Sequence, residues 1–244
     1  MEFDVFIPAR YGSRRLPGKP LIEIRGKPLI QYVYECARSS SATRVIVTTD
    51  DERIVKAVRG FGGEVYVTHA EHSTGTDRIA EAVDALDLAD DRIIVNVQGD
   101  EPQIPGSLID DVANTLVDHP QSVMSTACHP LAASNDQNDP NVVKVVTDAD
   151  GWALYFSRAP IPWSRENQTI RAQHHIGIYG YRVGLLKTFT RWQRSDLEHI
   201  EQLEQLRVLY HGGRIIVHHT AAAPGIGVDT REDLVKFEQS LASI

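Results

Sequence analysis

The feature that most constrains the fold is an alternation of short apolar runs with amphipathic stretches over the first hundred residues. The apolar runs are "FDVFIPA", "RVIVTTD", "EVYVT" and "RIIVNVQGD". Between them lie "LIQYVYECARS", "ERIVKAVRGFGG" and "TDRIAEAVDAL", which carry apolar residues at helical spacing. Strands that alternate with helices predict βαβ units and a mostly parallel sheet, with ligands beyond the carboxyl ends of the strands.

The pattern changes near residue 140. "NVVKVV", "TDADG" and "WALYFSR" predict an antiparallel hairpin, and "HHIGIYGYR" and "RIIVHHT" predict two further strands. "SDLEHIEQLEQLRVLYHGG" predicts one helix that begins with a capping box of Ser195 and Glu198. Thr230 and Asp233 cap a C-terminal helix. We predict a single α/β domain over residues 1–244, with a small mixed-sheet lobe roughly within 140–210.

Composition excludes several classes of protein. The net charge of −8 argues against a general nucleic-acid binder, and no apolar run approaches the roughly 20 residues that cross a membrane. The N-terminal "MEFDVFIPAR" has two acids and no basic region, which disfavours a secretory signal. The two cysteines, Cys36 and Cys128, fit no metal or redox spacing, so we expect reduced thiols in a cytoplasmic protein.

The loop after the first strand, "PARYGSRRLPGKPL", is a candidate phosphate site. It differs from a P-loop because five residues separate Gly12 from Gly18 and because Pro20 follows Lys19. Its glycines let backbone N–H groups approach phosphate oxygens, and its four cations would neutralise a polyphosphate. These cations are Arg10, Arg14, Arg15 and Lys19. The alternative, a solvated basic turn, explains so dense a cluster less well.

These motifs resemble those of a known family. The opening loop resembles the signature of the sugar nucleotidylyltransferases of the cytidylyltransferase branch. With "STGTDRIAE", "VNVQGDEP", "NVVKVV", "ALYFSRAPIPW", "HIGIYGYR", "LEHIEQLEQLR" and "GVDTREDL", the chain is most similar to the 3-deoxy-manno-octulosonate cytidylyltransferase family. The resemblance covers nearly the whole chain. It implies a Rossmann-like nucleotidyltransferase fold and a cytoplasmic homodimer. It also implies a Mg²⁺-dependent transfer of CMP from CTP to 3-deoxy-manno-octulosonate (Kdo), with release of pyrophosphate, for lipopolysaccharide synthesis.

The resemblance also implies which residues bind the nucleotide and the metal. Asp100 and Asp229 would bind Mg²⁺, although each could instead serve a turn or a helix start. The "STGTDRIAE" segment could likewise be a plain helix start capped by Thr76. The catalytic residues would be Arg15, Lys19 and Asp100. The nucleotide contacts would be Ala9, Arg10, Gly12, Ser13, Arg15, Lys19, Thr74, Gly75, Arg78 and Gln98.

The acid sugar would lie against a third group of residues. Arg158 could pair with its carboxylate, and His175 and Tyr179 are four residues apart on one predicted strand, hence on one face. Without the resemblance, Glu204 is better explained as a solvated helix position and Tyr179 as a core residue. The full set of sugar contacts that the resemblance implies is Gln98, Arg158, His175, Tyr179, Glu204 and Gln205.

Three other functions stay open at this point. The first is the same transfer to 8-amino-Kdo or another acid sugar. The second is a glycosyltransferase, but the only Asp-x-Asp segment, at residues 148–150, lies in a predicted hairpin turn. The third is a non-catalytic nucleotide-sugar sensor, which predicts a damaged metal pair, whereas Asp100 and Asp229 are both present.

Overall fold

A computed structural model describes residues 2–12, 16–72, 74–131, 137–166, 172–221 and 223–242. Its strands are β1 (Phe3–Pro8), β2 (Glu23–Ile24), β3 (Lys27–Pro28), β4 (Arg44–Thr49), β5 (Glu64–Val67), β6 (Ile93–Asn96), β7 (Met124–Pro130), β8 (Lys144–Thr147), β9 (Ala153–Ser157), β10 (Gln173–Arg182) and β11 (Ile215–His219). Its helices are α1 (Leu29–Arg38), α2 (Glu52–Gly60), α3 (Gly75–Ala85), α4 (Gly106–Asp118), α5 (Val183–Phe189), α6 (Asp196–Glu201), α7 (Gln205–Tyr210) and α8 (Arg231–Ser240).

The main sheet confirms the predicted fold class. Within the described residues it has nine strands, seven of them in the order β11-β7-β10-β6-β1-β4-β5. β10 runs antiparallel to β6 and β7, and the other neighbouring pairs of this row are parallel. The predicted hairpin of β8 and β9 is present and joins the same sheet through β10. β2 and β3 form a separate two-stranded antiparallel sheet.

Apolar side chains cover both faces of the sheet, as buried strands of this kind require. On one face, Ile30, Val33 and Val112 of α1 and α4 pack on the inner strands. On the other face, Ile79 of α3 and Leu206 of α7 pack in a second cluster. In the described residues, both faces of the central sheet are therefore packed against helices. A ligand site is expected at the carboxyl ends of the parallel strands.

The prediction of one helix over residues 195–213 is wrong. Ser195 does cap a helix, since its side chain accepts a hydrogen bond from the Glu198 N–H, but α6 ends at Gln202 in a left-handed conformation with φ 54°. A second helix, α7, begins three residues later. The carboxylate of Glu201 accepts hydrogen bonds from the Ser157 hydroxyl and the Arg158 N–H. These hydrogen bonds stabilise the end of α6 at this position, where a continuous helix was predicted.

Three local expectations also change. β6 ends at Asn96, so Gln98 and Asp100 lie in the loop beyond it rather than on a strand. α3 is capped by the side chain of Thr74, which accepts from the Asp77 N–H, and not by Thr76. β10 contains a register shift between Ile176 and Tyr179 against β7, which simple alternation along a strand does not foresee.

Some elements were not predicted from the sequence. They are α4, β7, α5 and the small β2–β3 sheet. In the described part of the chain, none of the helices has the length and apolar character needed to cross a membrane.

Candidate active site

The candidate active site lies at the carboxyl ends of β1 and β6, where two loops leave the parallel sheet together. Ala9 donates its N–H to the Thr48 carbonyl at 2.9 Å, and Val97 donates to the Phe6 carbonyl at 3.0 Å. The first bond ties the loop after β1 to β4, and the second ties the loop after β6 to β1, so both loops leave the sheet at neighbouring positions. A Cβ at Gly99 would lie 2.9 Å from the Pro8 carbonyl oxygen, so this close approach requires glycine.

Lys19 brings two distant carboxylates together. Its ammonium lies 2.7 Å from Asp100 Oδ2 and 3.0 Å from Asp229 Oδ1. Gly18, with φ 68°, precedes the short 3-10 turn Lys19–Leu21, and this left-handed position favours glycine. The Val228 N–H donates to the Asp100 carbonyl at 2.8 Å, which places Asp229 beside the β6 loop. Residues about 80 and 210 positions apart therefore form one charged cluster.

A cavity of about 550 Å³, which we call the larger pocket, contains this cluster. Of the nucleotide contacts predicted from the sequence, seven line it: Ala9, Arg10, Lys19, Thr74, Gly75, Arg78 and Gln98. Gly12 is described but does not line it. Ser13 and Arg15, together with Arg14, lie outside the described residues, so their roles stay predictions. The structure thus gathers most of the predicted nucleotide contacts around one cavity.

Arg78 is held firmly at the wall of the larger pocket. The residue is buried, and its guanidinium pairs with Asp50 at 2.9 Å and donates to the Thr68 hydroxyl. The Thr74 side chain caps the same helix at its N-terminus. A helix N-terminus combines free N–H groups with the positive end of the helix dipole, so this end of α3 suits an anionic or oxygen-rich ligand.

A second cavity of about 240 Å³, the smaller pocket, adjoins the first. Gly75, Gln98 and Glu204 line both cavities. The smaller pocket has a more aromatic wall, which includes Tyr179, Tyr181 and Phe189. Two ligands could therefore meet at the shared wall, one in each cavity.

Four of the predicted sugar contacts, Gln98, Tyr179, Glu204 and Gln205, line the smaller pocket. Glu204 accepts a hydrogen bond from the Thr76 hydroxyl at 2.7 Å, and burial raises the pKa of its carboxyl. The Tyr179 hydroxyl donates to Gln205 Oε1 at 3.4 Å, and burial raises the pKa of this phenol as well. The wall thus offers neutral donors and acceptors beside one carboxyl group, as recognition of sugar hydroxyls requires.

Arg158 and His175 do not line either pocket in this structure. The Arg158 guanidinium donates to the carbonyls of Glu201 and Pro140 at 2.7 and 2.8 Å. His175 is buried, its Nε2 lies 2.9 Å from the Thr126 hydroxyl, and desolvation lowers its pKa to about 3. Its ring lies 5.5 Å from that of Tyr179. Their sugar-binding roles stay predictions.

The charged cluster also contains Glu101, which sequence reasoning missed. Burial, and then the nearby charges of Asp100 and Asp229, raise the pKa of its carboxyl to about 8. A Cβ at Gly227 would lie only 2.9 Å from Glu101 Oε1, so the C-terminal segment packs closely over this side chain.

The donor set of the cluster fits a hard cation. Asp100 and Asp229 already hold one positive centre, the Lys19 ammonium, with an oxygen from each carboxylate. Among the described residues there is no group of three or more His, Cys, Asp or Glu side chains that could hold a metal ion. Mg²⁺ commonly takes one or two carboxylates and completes its shell with phosphate oxygens and water, so the two aspartates suffice for such a site.

Several wall residues were not predicted. Asn96 and Tyr181 follow from the sequence pattern in retrospect, since Asn96 ends an apolar run and Tyr181 lies two residues beyond Tyr179 on β10. Phe189 and Gln202 carry no such signal, because the helices that present them reach the pocket only through tertiary packing.

The comparisons with known proteins agree with this geometry. The model of a family described as Cytidylyltransferase matches residues 5–215. The 3-deoxy-manno-octulosonate cytidylyltransferase of Idiomarina loihiensis is 52% identical over an alignment of 243 positions that spans 96% of each chain. The protein of the same name from Hahella chejuensis is 51% identical over an alignment of 249 positions that spans 98% of each chain.

Two solved structures resemble this chain, one in sequence and fold and the other in fold alone. A structure of CMP:2-keto-3-deoxy-manno-octonic acid synthetase complexed with CTP is 41% identical, has a TM-score of 0.93, and covers 99% of this chain and 98% of its own. A 4-diphosphocytidyl-2C-methyl-D-erythritol synthase is 13% identical with a TM-score of 0.66, over 98% of each chain, and shares the fold.

Proposed function

The chain belongs to the cytidylyltransferase family, among the 3-deoxy-manno-octulosonate cytidylyltransferases, and on this premise we propose how its own residues transfer CMP from CTP to Kdo. In this reaction the anomeric hydroxyl oxygen of Kdo bonds to the α-phosphorus of CTP and the hydroxyl proton passes to solvent. The bond between the α-phosphorus and the oxygen that bridges it to the β-phosphorus breaks, and pyrophosphate leaves. The observation that supports the proposal is the wall shared by the two pockets, at which a nucleotide in one pocket would meet an acid sugar in the other.

CTP would occupy the larger pocket. The N-terminus of α3 and Arg78 would orient the nucleoside end, and Lys19 would hold the phosphates as they leave, with Arg15 as a second predicted cation. Phosphoryl-type transfer needs mainly alignment and charge stabilisation, so no side-chain nucleophile is required.

Kdo would occupy the smaller pocket. The Tyr179 hydroxyl, the Gln205 amide and the Glu204 carboxyl offer donors and acceptors for its hydroxyl groups, and Gln98 on the shared wall would face both substrates. The aromatic wall would exclude water around the acceptor. This exclusion favours the sugar hydroxyl over water as the group that attacks CTP.

We propose that Asp100 and Asp229 hold Mg²⁺ when the nucleotide binds. The bound ion would polarise the α-phosphate and lower the pKa of the attacking hydroxyl. The two carboxylates would supply one oxygen each, as they do now to the Lys19 ammonium, and the other ligands would be phosphate oxygens and water.

Three further parts of the proposal rest on the family resemblance. We propose that the enzyme acts in the cytoplasm, that it works as a homodimer through the lobe within residues 140–210, and that its product feeds lipopolysaccharide synthesis. Sedimentation of the purified chain tests the dimer, since a mass near 27.2 kDa would contradict it.

The first test is pyrophosphate release with Mg²⁺, in which CTP, UTP, ATP and GTP are each combined with Kdo, 8-amino-Kdo and N-acetylneuraminate. We expect release with CTP and Kdo. Release with CTP and a different acid only would keep the chemistry and replace the substrate. Release with no pair, in a sample that still binds CTP, would favour the nucleotide-sugar sensor.

A further inference from the structure

The Lys19 ammonium occupies the position between the two carboxylates at which a divalent cation would bind. It lies 2.7 Å from one carboxylate and 3.0 Å from the other. The Lys19 side chain is only 11% exposed, whereas the Asp100 and Asp229 side chains are 32% and 43% exposed. The lysine side chain is thus the more enclosed partner, and the two carboxylates are open to a cation that enters from solvent.

The ammonium and a divalent cation would compete for the same oxygens. Like charges a few ångströms apart repel strongly in a partly buried site. Both carboxylates would have to reorganise if the lysine stayed, because an oxygen of each already accepts a hydrogen bond from the ammonium. Binding of the metal therefore favours a movement of the lysine side chain away from this position.

The structure allows this movement without a change of the backbone. The turn at Lys19 is held by its own N–H, which donates to the Leu16 carbonyl at 3.1 Å, and by the Gly18 N–H, which donates to the Tyr11 carbonyl at 3.1 Å. The four-carbon stem of lysine has several rotatable bonds beyond these anchors. Lys19 also lines the larger pocket, so its ammonium can turn toward a ligand in that cavity.

We propose that Lys19 is an internal counter-ion that keeps the affinity of Asp100 and Asp229 for divalent cations low until a triphosphate draws its ammonium away. The nucleotide and the metal then bind cooperatively, because the phosphates release the carboxylates that the metal needs. This proposal rests on the proposed function, since it assumes that the larger pocket binds CTP. It adds a role for Lys19 in the free enzyme, before any phosphate is present.

The test measures Mn²⁺ binding by electron paramagnetic resonance, without nucleotide, in the wild-type protein and in Lys19→Met. Removal of the competing charge is expected to tighten Mn²⁺ binding about tenfold, the effect of about 1.4 kcal/mol. Lys27→Met is the matched control, because it removes an exposed ammonium that pairs with Glu35 at 2.9 Å outside either pocket. Its Mn²⁺ affinity is expected to match the wild type. Equal affinities of Lys19→Met and the wild-type protein would overturn the proposal.

A second measurement does not depend on the affinity assay. Mg²⁺ is expected to raise the unfolding temperature of Lys19→Met more than that of the wild-type protein, because binding to the native state stabilises it. If Lys19→Met does not fold, Lys19→Gln provides the same loss of charge with a polar side chain. An equal Mg²⁺ effect on variant and wild type contradicts the proposal.

Two outcomes separate this proposal from the proposed function. The double variant Lys19→Met/Asp100→Asn is expected to lose the tight Mn²⁺ binding, and its retention would show that the cation binds elsewhere. Pyrophosphate release from CTP and Kdo by the wild-type enzyme tests the function independently. An active enzyme with no gain in Lys19→Met would remove the counter-ion role and leave the function intact.

Discussion

The two pockets that share a wall are built in different ways. The larger pocket is formed by loops at the carboxyl edge of the parallel sheet, and its charged centre joins Lys19, Asp100 and Asp229 from distant parts of the chain. The smaller pocket is formed by β10 and the broken helix pair α6 and α7, with an aromatic wall. Ion pairs between opposite charges stabilise the larger pocket, whereas packing of a helix on a strand stabilises the smaller pocket.

The difference teaches how one active site can treat its two substrates separately. A polyphosphate needs cations and carboxylate-bound metal at a solvent-accessible edge. An acceptor sugar needs a cavity that excludes water and positions hydroxyl groups. Substitutions in one pocket should therefore change the kinetics of one substrate more than those of the other.

The largest expected effect is on the charged cluster. Asp100→Asn preserves the size of the side chain but removes a charge from the proposed metal-binding pair, so kcat is expected to fall by about a thousandfold. Circular dichroism should show an unchanged fold. The control is Asp150→Asn, an exposed carboxylate in the β8–β9 turn, which should leave kcat unchanged. Full activity of Asp100→Asn would refute the metal assignment.

A second prediction concerns the packing beneath the smaller pocket. Arg207 and Glu198 form a buried ion pair, and the guanidinium also lies 4.0 Å from the Phe189 ring. Arg207→Met leaves the buried Glu198 carboxylate with only the exposed Arg194 guanidinium, 3.8 Å away, as a partner. The free energy of unfolding is therefore expected to fall by about 3 kcal/mol. Urea denaturation measures it.

The matched control for this ion pair is Arg44→Met, which breaks the exposed pair between Arg44 and Glu64. Exposed pairs contribute about 0–1 kcal/mol, so this variant should unfold at nearly the wild-type urea concentration. A loss equal to that of Arg207→Met would mean that the buried pair has no special role in holding α7 on the sheet.

The sugar side can be tested directly. Gln205 lines the smaller pocket and not the larger one. Gln205→Ala is therefore expected to raise the KM for Kdo about tenfold and to leave the KM for CTP nearly unchanged. Steady-state kinetics with each substrate varied in turn gives both constants, and Gln239→Ala on the exposed face of α8 is the control. Equal increases for both substrates would contradict the separation of the pockets.

The docking of the C-terminal segment gives a smaller effect. Gln103 accepts from the Ile226 N–H at 2.9 Å and donates to the Ser240 hydroxyl at 2.8 Å, close to the Asp229 position. Gln103→Ala is expected to raise the Mg²⁺ concentration for half-maximal activity about threefold, the effect of roughly 0.7 kcal/mol. Activity should recover at saturating Mg²⁺.

Gln121→Ala is the control for Gln103→Ala, because Gln121 accepts a hydrogen bond from Arg214 on the surface at 2.7 Å. Its Mg²⁺ dependence should match that of the wild-type enzyme. A fall in kcat for Gln103→Ala that added Mg²⁺ does not restore would show that Gln103 does not act through the metal site.

A last prediction concerns the dependence of stability on pH. Because burial lowers the pKa of His175 from 6.5 to about 3, the native state excludes a proton that the unfolded chain binds between these values. Above about pH 6.5 the His175 imidazole is neutral in both states, and its titration does not reduce the free energy of unfolding. As the pH decreases from 6.5 toward 3, the free energy of unfolding falls by up to about 1.4 kcal/mol per pH unit. Urea midpoints at about pH 7 and about pH 5 measure it.

His175→Gln removes this titration and keeps a polar side chain opposite the Thr126 hydroxyl. The variant should therefore lose less stability between the two pH values than the wild-type protein. Equal losses would show that other groups, rather than His175, determine the acid sensitivity.

Local patterns predicted much of the fold. The first strand, the capped helix α3 and the C-terminal helix with its Thr230–Asp233 capping box follow from residues close together in the sequence. The break between α6 and α7 could not be predicted in this way, because Glu201, the last residue of α6, binds partners more than 40 positions away. Local helix signals cannot represent such a competition.

In the candidate site, too, some features could be predicted from the sequence and others required the folded structure. The opening loop and the aspartates follow from motif and resemblance, whereas the meeting of Lys19 with both carboxylates follows only from the folded chain. The positions of Phe189 and Gln202 at the smaller pocket also required the structure.

The sequence by itself determined the alternation of strands and helices, the caps at Ser195 and Thr230 and the chemical types of the site residues, since each depends on nearby residues and their hydrogen-bonding capacity. Only the tertiary structure decided that Asp100 and Asp229 share one lysine and that α7 presents Gln205 to a cavity. The physical reason is that strand order and helix packing set which distant side chains meet, and these depend on the whole core rather than on any single segment.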